Sequence, residues 1–147
     1  VKGRLGALGI DLTEVTVVPH DAAALAAAIG RPAGAADLRL ILTASATSDP
    51  NDVGPVALRA AGGRVTRVGM PVDPGNLLFL GDIGGVPVIG LPGCARSPAL
   101  NGADWVLERI ACGVALGAED IAAMGVGGLL KEIPTRPQPR ERRGGGA

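Results

Sequence analysis

"VPVIGLPGCARSPALNGADWVLERIACG", Val86 to Gly113, joins an apolar run to a helical pattern through a turn that holds two prolines, two glycines and a cysteine. "VPVI" reads as a strand that Pro92 and Gly93 end. The spacing predicts a helix from Ser97 to about Cys112, with Leu100, Ala103, Leu107 and Ile110 on one face. Ser97 followed by Pro98 has the form of an N-cap and first-turn pair. A strand feeding a helix through such a loop is the repeating unit of an α/β layer.

The same alternation continues upstream. "LLFL" and "VPVI" flank "GDIGG", a hairpin signal, and "RVTRV" (Arg64–Val68) is a strand. "PVALRAAGG" (Pro55–Gly63) predicts a short helix with Pro at its start and Gly at its end, and "LRLIL" (Leu38–Leu42) a buried parallel strand. "HDAAALAAAIG" predicts a helix capped by Asp21, with Gly30 at C′, and the β-branched "LTEVTVV" (Leu12–Val18) predicts a strand before it. "AEDIAAMG" adds a helical turn or two near the C-terminus. The expected fold is α/β: a three-layer sandwich with a mainly parallel sheet, right-handed crossovers and a small hairpin. The opening "VKGRLGALGI" reads as the end of a helix, so the first strand of such a sheet is expected to be missing.

One domain over 1–132 suits a chain of 147 residues, and "IPTRPQPRERRGGGA" (133–147) has the composition of an extended linker. The formal net charge is zero, but four arginines against Glu141 leave the last fourteen residues at +3 and the remainder at −3. Without a clustered basic face, nucleic acid is not an expected partner. Phe79 and Trp105 are the only aromatic residues, too few for stacking single strands, so the core must be aliphatic. No apolar run approaches the roughly 20 residues of a membrane helix. Cys94 and Cys112 are expected as reduced thiols of a cytoplasmic protein, and the single His20 excludes a multi-histidine metal site.

Ligands in open α/β sheets bind beyond the carboxyl ends of strands. Two loops follow predicted strands directly. "TASATSDPND" offers Ser45, Thr47, Ser48, Asp49, Asn51 and Asp52 just ahead of a helix. Capping and turn chemistry accounts for Ser48, Asp49 and Asn51, whereas Asp52 stands at the helix mouth, where a carboxylate can hold a metal ion or orient a nucleophile. "GLPGCARSP" offers backbone approach at Gly93, Arg96 to complement a phosphate, and the free amides of a helix start at Ser97. Cys94 has no identifiable base beside it and reads as a small packing residue. A third segment, "MPVDPGNLL", holds the turn Asp73-Pro74-Gly75-Asn76, which gains functional weight only if it faces the other two. "LGALG", "GDIGG" and "GVGG" match neither the P-loop nor the dinucleotide fingerprint.

In this order, the three loops resemble the molybdopterin-binding domain of molybdenum cofactor biosynthesis, shared by molybdopterin adenylyltransferases and molybdenum insertases. The likeness covers roughly residues 5–112. "TASATSDPNDV" lies where the family's Gly-Gly-Thr/Ser loop reaches an Asp, which places Asp52 on the acidic position. "VDPGN" matches the family's turn through Pro74 and Gly75, and "GLPGCARSP" its last loop through Leu91, Pro92, Gly93 and Ser97. A closer likeness is to bacterial chains that fuse this domain to a cytidylyltransferase-like domain and share "PVDPGNLL", "LPGCARSP" and the Pro/Arg-rich tail.

The resemblance implies molybdopterin as ligand, with Ser45, Thr47, Asp49, Pro74, Gly75, Asn76, Pro92, Gly93, Cys94, Arg96 and Ser97 as binding residues. It implies Asp52 as catalytic residue and metal ligand, and Mg²⁺ and ATP as further requirements of the enzymatic members, which transfer an adenylyl group or insert molybdate. It also implies a homo-oligomer and a fused or separate nucleotidyltransferase as partner. Three positions depart from the family pattern: Ala44-Ser45 replaces the Gly-Gly pair, Cys94 replaces an Asn, and Asn76 replaces a basic residue. These departures, and the lack of a general base, keep open a second reading, a non-catalytic recognition or oligomerisation module of a nucleotidyltransferase. A third is an unrelated flavodoxin-like domain that binds some other phosphate.

Overall fold

The computed structural model describes residues 1–32, 34 and 36–125; the predicted linker at 133–147 lies outside them. The fold is mixed α/β. Five α-helices are described: α1 Lys2–Ala7, α2 Ala22–Ile29, α3 Val53–Ala60, α4 Gly102–Ala111 and α5 Ala118–Ala123. Four strands form one sheet: β1 Arg39–Ile41, β2 Arg64–Val68, β3 Phe79–Ile83 and β4 Val86–Gly90, in the order β1-β4-β3-β2.

The β1–β4 pair is parallel, and β4–β3 and β3–β2 are antiparallel. The sheet is therefore mixed among the described residues, and its parallel character is confined to one pair. The hairpin between β3 and β4 turns at Gly84 and Gly85, whose φ of 58° and 81° are those of a type I′ turn open to glycine pairs. The hairpin accounts for the antiparallel centre of the sheet: a two-residue turn can only return the chain beside itself in the opposite sense.

Side chains alternate across the strands and feed two clusters. Phe79, Val88 and Ile41 pack with Ile29 of α2 and with Ala57 and Leu58 of α3. Leu80 and Ile89 pack with Leu5 of α1, with Ala103, Val106 and Leu107 of α4, and with Ile121 of α5. Helices α2 and α3 pack side by side, with Gly30 beside Ala61 at their finishing ends, and a hydrogen bond between His20 and Ser45 ties the entrance of α2 to the loop that leads toward α3.

Four expectations need correction. The segment Leu12–Val18 pairs with no described strand, and Val15 and Val17 are 71% and 91% exposed. β-Branched residues suit a pleated, half-buried surface, and here no neighbouring ladder supplies one. Helix α3 begins at Val53 with Asp52 as its N-cap, which puts Pro55 in the third helical position instead of the first. Gly30 keeps right-handed φ and ψ of −70° and −10°, so it ends α2 without the left-handed cap expected of it. Helix α4 begins at Gly102, five residues beyond Ser97, and Leu100 is 57% exposed ahead of it.

Candidate functional site

The pairing register puts the three loops at one end of the sheet. Ile41 pairs with Gly90, Gly90 with Phe79, and Phe79 with Val68, in a single row across all four strands. Beyond that row lie the loop from β1 to α3, the loop that follows β4, and the connection from β2 to β3 that carries Pro74 and Gly75. All three therefore leave the same rim.

Polar contacts tie the loops together. Arg96 Nη2 donates to the Thr43 carbonyl at 2.7 Å, bridging the loop after β4 to the loop after β1. The Leu91 amide donates to the Ile41 carbonyl at 2.8 Å and extends the parallel pairing by one bond. The Gly102 amide donates to the Pro74 carbonyl at 2.7 Å, so the third segment is fastened to the start of α4. Gly75, with φ of 119°, lies against the Gly102 backbone, where a Cβ would collide with it.

This fastening changes the meaning of the opening motif. Gly93–Arg96 form a short 3₁₀ turn, and the Ser97 hydroxyl accepts from the Ala99 amide at 3.2 Å without capping a helix. The first amides of α4 are already used. Gly102 donates to Pro74, Ala103 to the Asn101 side chain at 3.0 Å, and Asp104 to the Asn101 carbonyl. Asp104 returns a bond to the Asn101 amide at 2.8 Å, completing a capping box. An anion pocket opened by helical amides at Ser97 is therefore absent. Asn-x-x-Asp three residues downstream was the sequence signal that marks the true helix start.

Arg4 holds this loop, and sequence reasoning gave it no role. Its Nε donates to Asp104 Oδ1 at 2.5 Å, and its Nη atoms donate to the carbonyls of Ala95, Ser97 and Ala99 at 2.7–2.8 Å. The Arg4 and Asp104 side chains are 14% and 10% exposed, so the pair is mostly desolvated and depends on its geometry.

In the loop after β1, most polar groups serve the loop itself. Asp52 Oδ2 accepts from the Ser48 amide at 2.7 Å, the Asp49 amide at 2.9 Å and the Ser48 hydroxyl at 3.4 Å. The bond from the Asp49 amide, then that from the Ser48 amide, hold the Asp52 carboxyl below its ordinary 3.8; the Ser48 hydroxyl and the charge of His20 add to this, and partial desolvation opposes it. Asp49 Oδ1 accepts from the Asn51 amide at 2.7 Å, an Asx turn. Among the described residues no three His, Cys, Asp or Glu side chains converge on a metal position, and Asp52 Oδ1 accepts no hydrogen bond.

The remaining predicted residues divide by accessibility. Ser45, Asp49, Asn76, Gly93, Cys94, Arg96 and Ser97 are exposed, whereas Thr47, Gly75 and Pro92 are buried and Pro74 is half-buried. Gly93 sits in open space, where a Cβ would meet only Arg96 Nη1, at 3.9 Å. The structure adds His20, whose Nε2 lies 3.2 Å from Ser45 Oγ. A cavity of about 440 Å³ lies elsewhere, between α4 and α5, lined by Trp105, Arg109, Leu116, Asp120 and Met124 among others, and none of the loop residues reach it. The rim thus presents exposed donors and acceptors from its loops.

No helix among the described residues is long and apolar enough to cross a membrane. Comparison of the chain with protein-family models, with curated proteins and with solved structures gave no match.

Proposed function

We propose that the chain binds molybdopterin on this rim, as a domain of the molybdopterin-binding kind that serves molybdenum cofactor biosynthesis. The observation that carries the reading is the single row Ile41–Gly90–Phe79–Val68, beyond which all three motif-bearing loops lie. Arg96, fixed on Thr43, bridges two of them and brings a positive charge to the rim. Gly93 adds accessible backbone with no packing neighbour that requires a glycine there.

The binding reading extends to the architecture. Two apolar clusters, each with its own helices, support a three-layer sandwich, and a further strand on the outer edge of β1 would enlarge its parallel part. Exposed Leu12, Val15 and Val17, together with the unpaired outer edge of β1 among the described residues, support a homo-oligomer. A cytoplasmic location and a fused or separate nucleotidyltransferase as partner belong to the same proposal.

Whether the domain also transfers an adenylyl group turns on Asp52. Its Oδ2 is committed to the loop, and its Oδ1 would hold Mg²⁺ only jointly with the phosphates of ATP, as one carboxylate ordinarily does. The commitment of Oδ2 favours the non-catalytic recognition module as the second reading.

Two assays separate the readings. Molybdopterin bound to the full chain is detected by its fluorescence after oxidation, and retention of pterin supports both. ATP-dependent adenylylation of molybdopterin supports only the transferase. A chain that retains no pterin contradicts both.

A further inference from the structure

His20 is the sole histidine of the chain and belongs to none of the recognised motifs. It stands just ahead of α2, where Asp21 supplies the helix cap by accepting from the Ala24 amide at 2.9 Å. Its Nε2 nevertheless reaches across to Ser45 Oγ, 25 positions along the chain. Both residues are exposed, so neither needs the other to satisfy a buried polar group.

Ser45 is held from two sides. Its carbonyl accepts from the Thr43 hydroxyl at 2.6 Å, and the Thr43 carbonyl in turn accepts Arg96. Its hydroxyl is held by His20. A serine hydroxyl has one proton and two lone pairs and turns freely unless a partner fixes it. An imidazole that donates through Nε2 occupies one lone pair and leaves the serine O–H free to point at the rim; one that accepts through Nε2 engages that O–H and leaves both lone pairs of the oxygen for a ligand. Either way, one ligand-facing capacity of Ser45 is set by His20, and Arg96, Thr43, Ser45 and His20 form one connected chain of contacts along the rim.

We propose that His20 is a positioning residue for the pterin site and acts through Ser45, orienting its hydroxyl toward the polar edge of a bound pterin ring. This rests on the binding reading above. It adds a residue from outside the three loops, and it assigns the entrance to α2 to the site.

A fluorescence titration of the full chain with free pterin tests it, on His20→Ala, His20→Gln, Ser45→Ala and the double variant His20→Ala/Ser45→Ala. His20 is exposed and caps no helix, so folding survives its replacement, which far-UV circular dichroism checks. The expected losses are about threefold to tenfold in affinity for each alanine variant, the scale of one net hydrogen bond. Because His20 acts through Ser45, the double variant binds no more weakly than Ser45→Ala alone. His20→Gln, which retains a side-chain N–H donor, recovers affinity to within about twofold of the parent. A His20→Ala variant that binds like the parent, or a double variant whose loss is the product of the two single losses, overturns the proposal and leaves the binding reading standing. A parent that binds no pterin overturns both.

Discussion

Arg96 and the carbonyl of Thr43 meet at 2.7 Å across the gap between two loops that follow the parallel strands β4 and β1. The contact joins residues 53 positions apart and converts two separate strand-to-helix connections into one surface. It is made by an exposed side chain, so its contribution to folding is small beside the positive charge it fixes at the rim.

Arg96→Ala therefore separates binding from stability. The expected loss of stability is about 1 kcal/mol, the scale of one net hydrogen bond. Pterin affinity falls by more than this, because the fixed cation is removed as well. Urea unfolding and a pterin titration on the same preparation check the two effects. A stability loss as large as the loss of binding energy would make Arg96 a structural residue only.

Gly75 and Gly93 should respond in opposite ways. Gly75 has φ of 119° and backs onto Gly102, so Gly75→Ala brings backbone strain of about 1–3 kcal/mol in addition to the collision of its Cβ. Gly93→Val places its Cβ in open space, and its effect on stability stays within about 0.5 kcal/mol. Pterin binding falls in Gly93→Val all the same if backbone there meets the ligand. Denaturant midpoints and pterin titrations of the two variants decide this.

Removing Arg4 leaves Asp104 mostly buried without its ion partner, and three loop carbonyls without a donor. Arg4→Ala is expected to cost about 3–5 kcal/mol, against a total of about 5–15 kcal/mol for an ordinary domain. Thermal unfolding is the check. A shift of only one or two degrees would mean that the loop holds its shape without Arg4.

Asp52 gives the loop a pH dependence of defined sign. Its carboxyl sits below 3.8 in the folded chain because it accepts the Asp49 and Ser48 amides. A carboxylate lowered on folding contributes fully above its unfolded value, and that contribution is lost as pH falls through the folded value. The Ser48 and Asp49 amide resonances are expected to move with an inflection below 3.8 as pH falls. Asp52→Asn removes the inflection. An inflection at or above 3.8 in the parent contradicts the loop geometry.

The parts of the fold that were legible in the sequence are those fixed by neighbours along the chain. Gly84-Gly85 dictates its own turn, and Asp21 caps the helix that follows it, so the hairpin and α2 stand where the sequence puts them. The start of α4 was misread because Ser97-Pro98 imitates a cap. The true cap, Asn101 with Asp104, is selected by Arg4, 100 positions upstream. Leu12–Val18 carries a strand's residue types, but strand formation also needs a partner, which composition does not encode. The shared end of the loops after β1 and β4 was legible because loops after parallel strands share an end. His20 was not, since nothing local to "VVPHD" announces a hydroxyl 25 positions away.

The most direct test of the shared rim is an amide-shift map of the isotopically labelled chain titrated with pterin. The largest changes are expected in residues 43–52 and 91–97, with the His20 imidazole moving alongside them. Changes confined to Trp105, Arg109, Leu116 and Met124 around the α4–α5 cavity, or no saturable change at all, would contradict a ligand site on this rim.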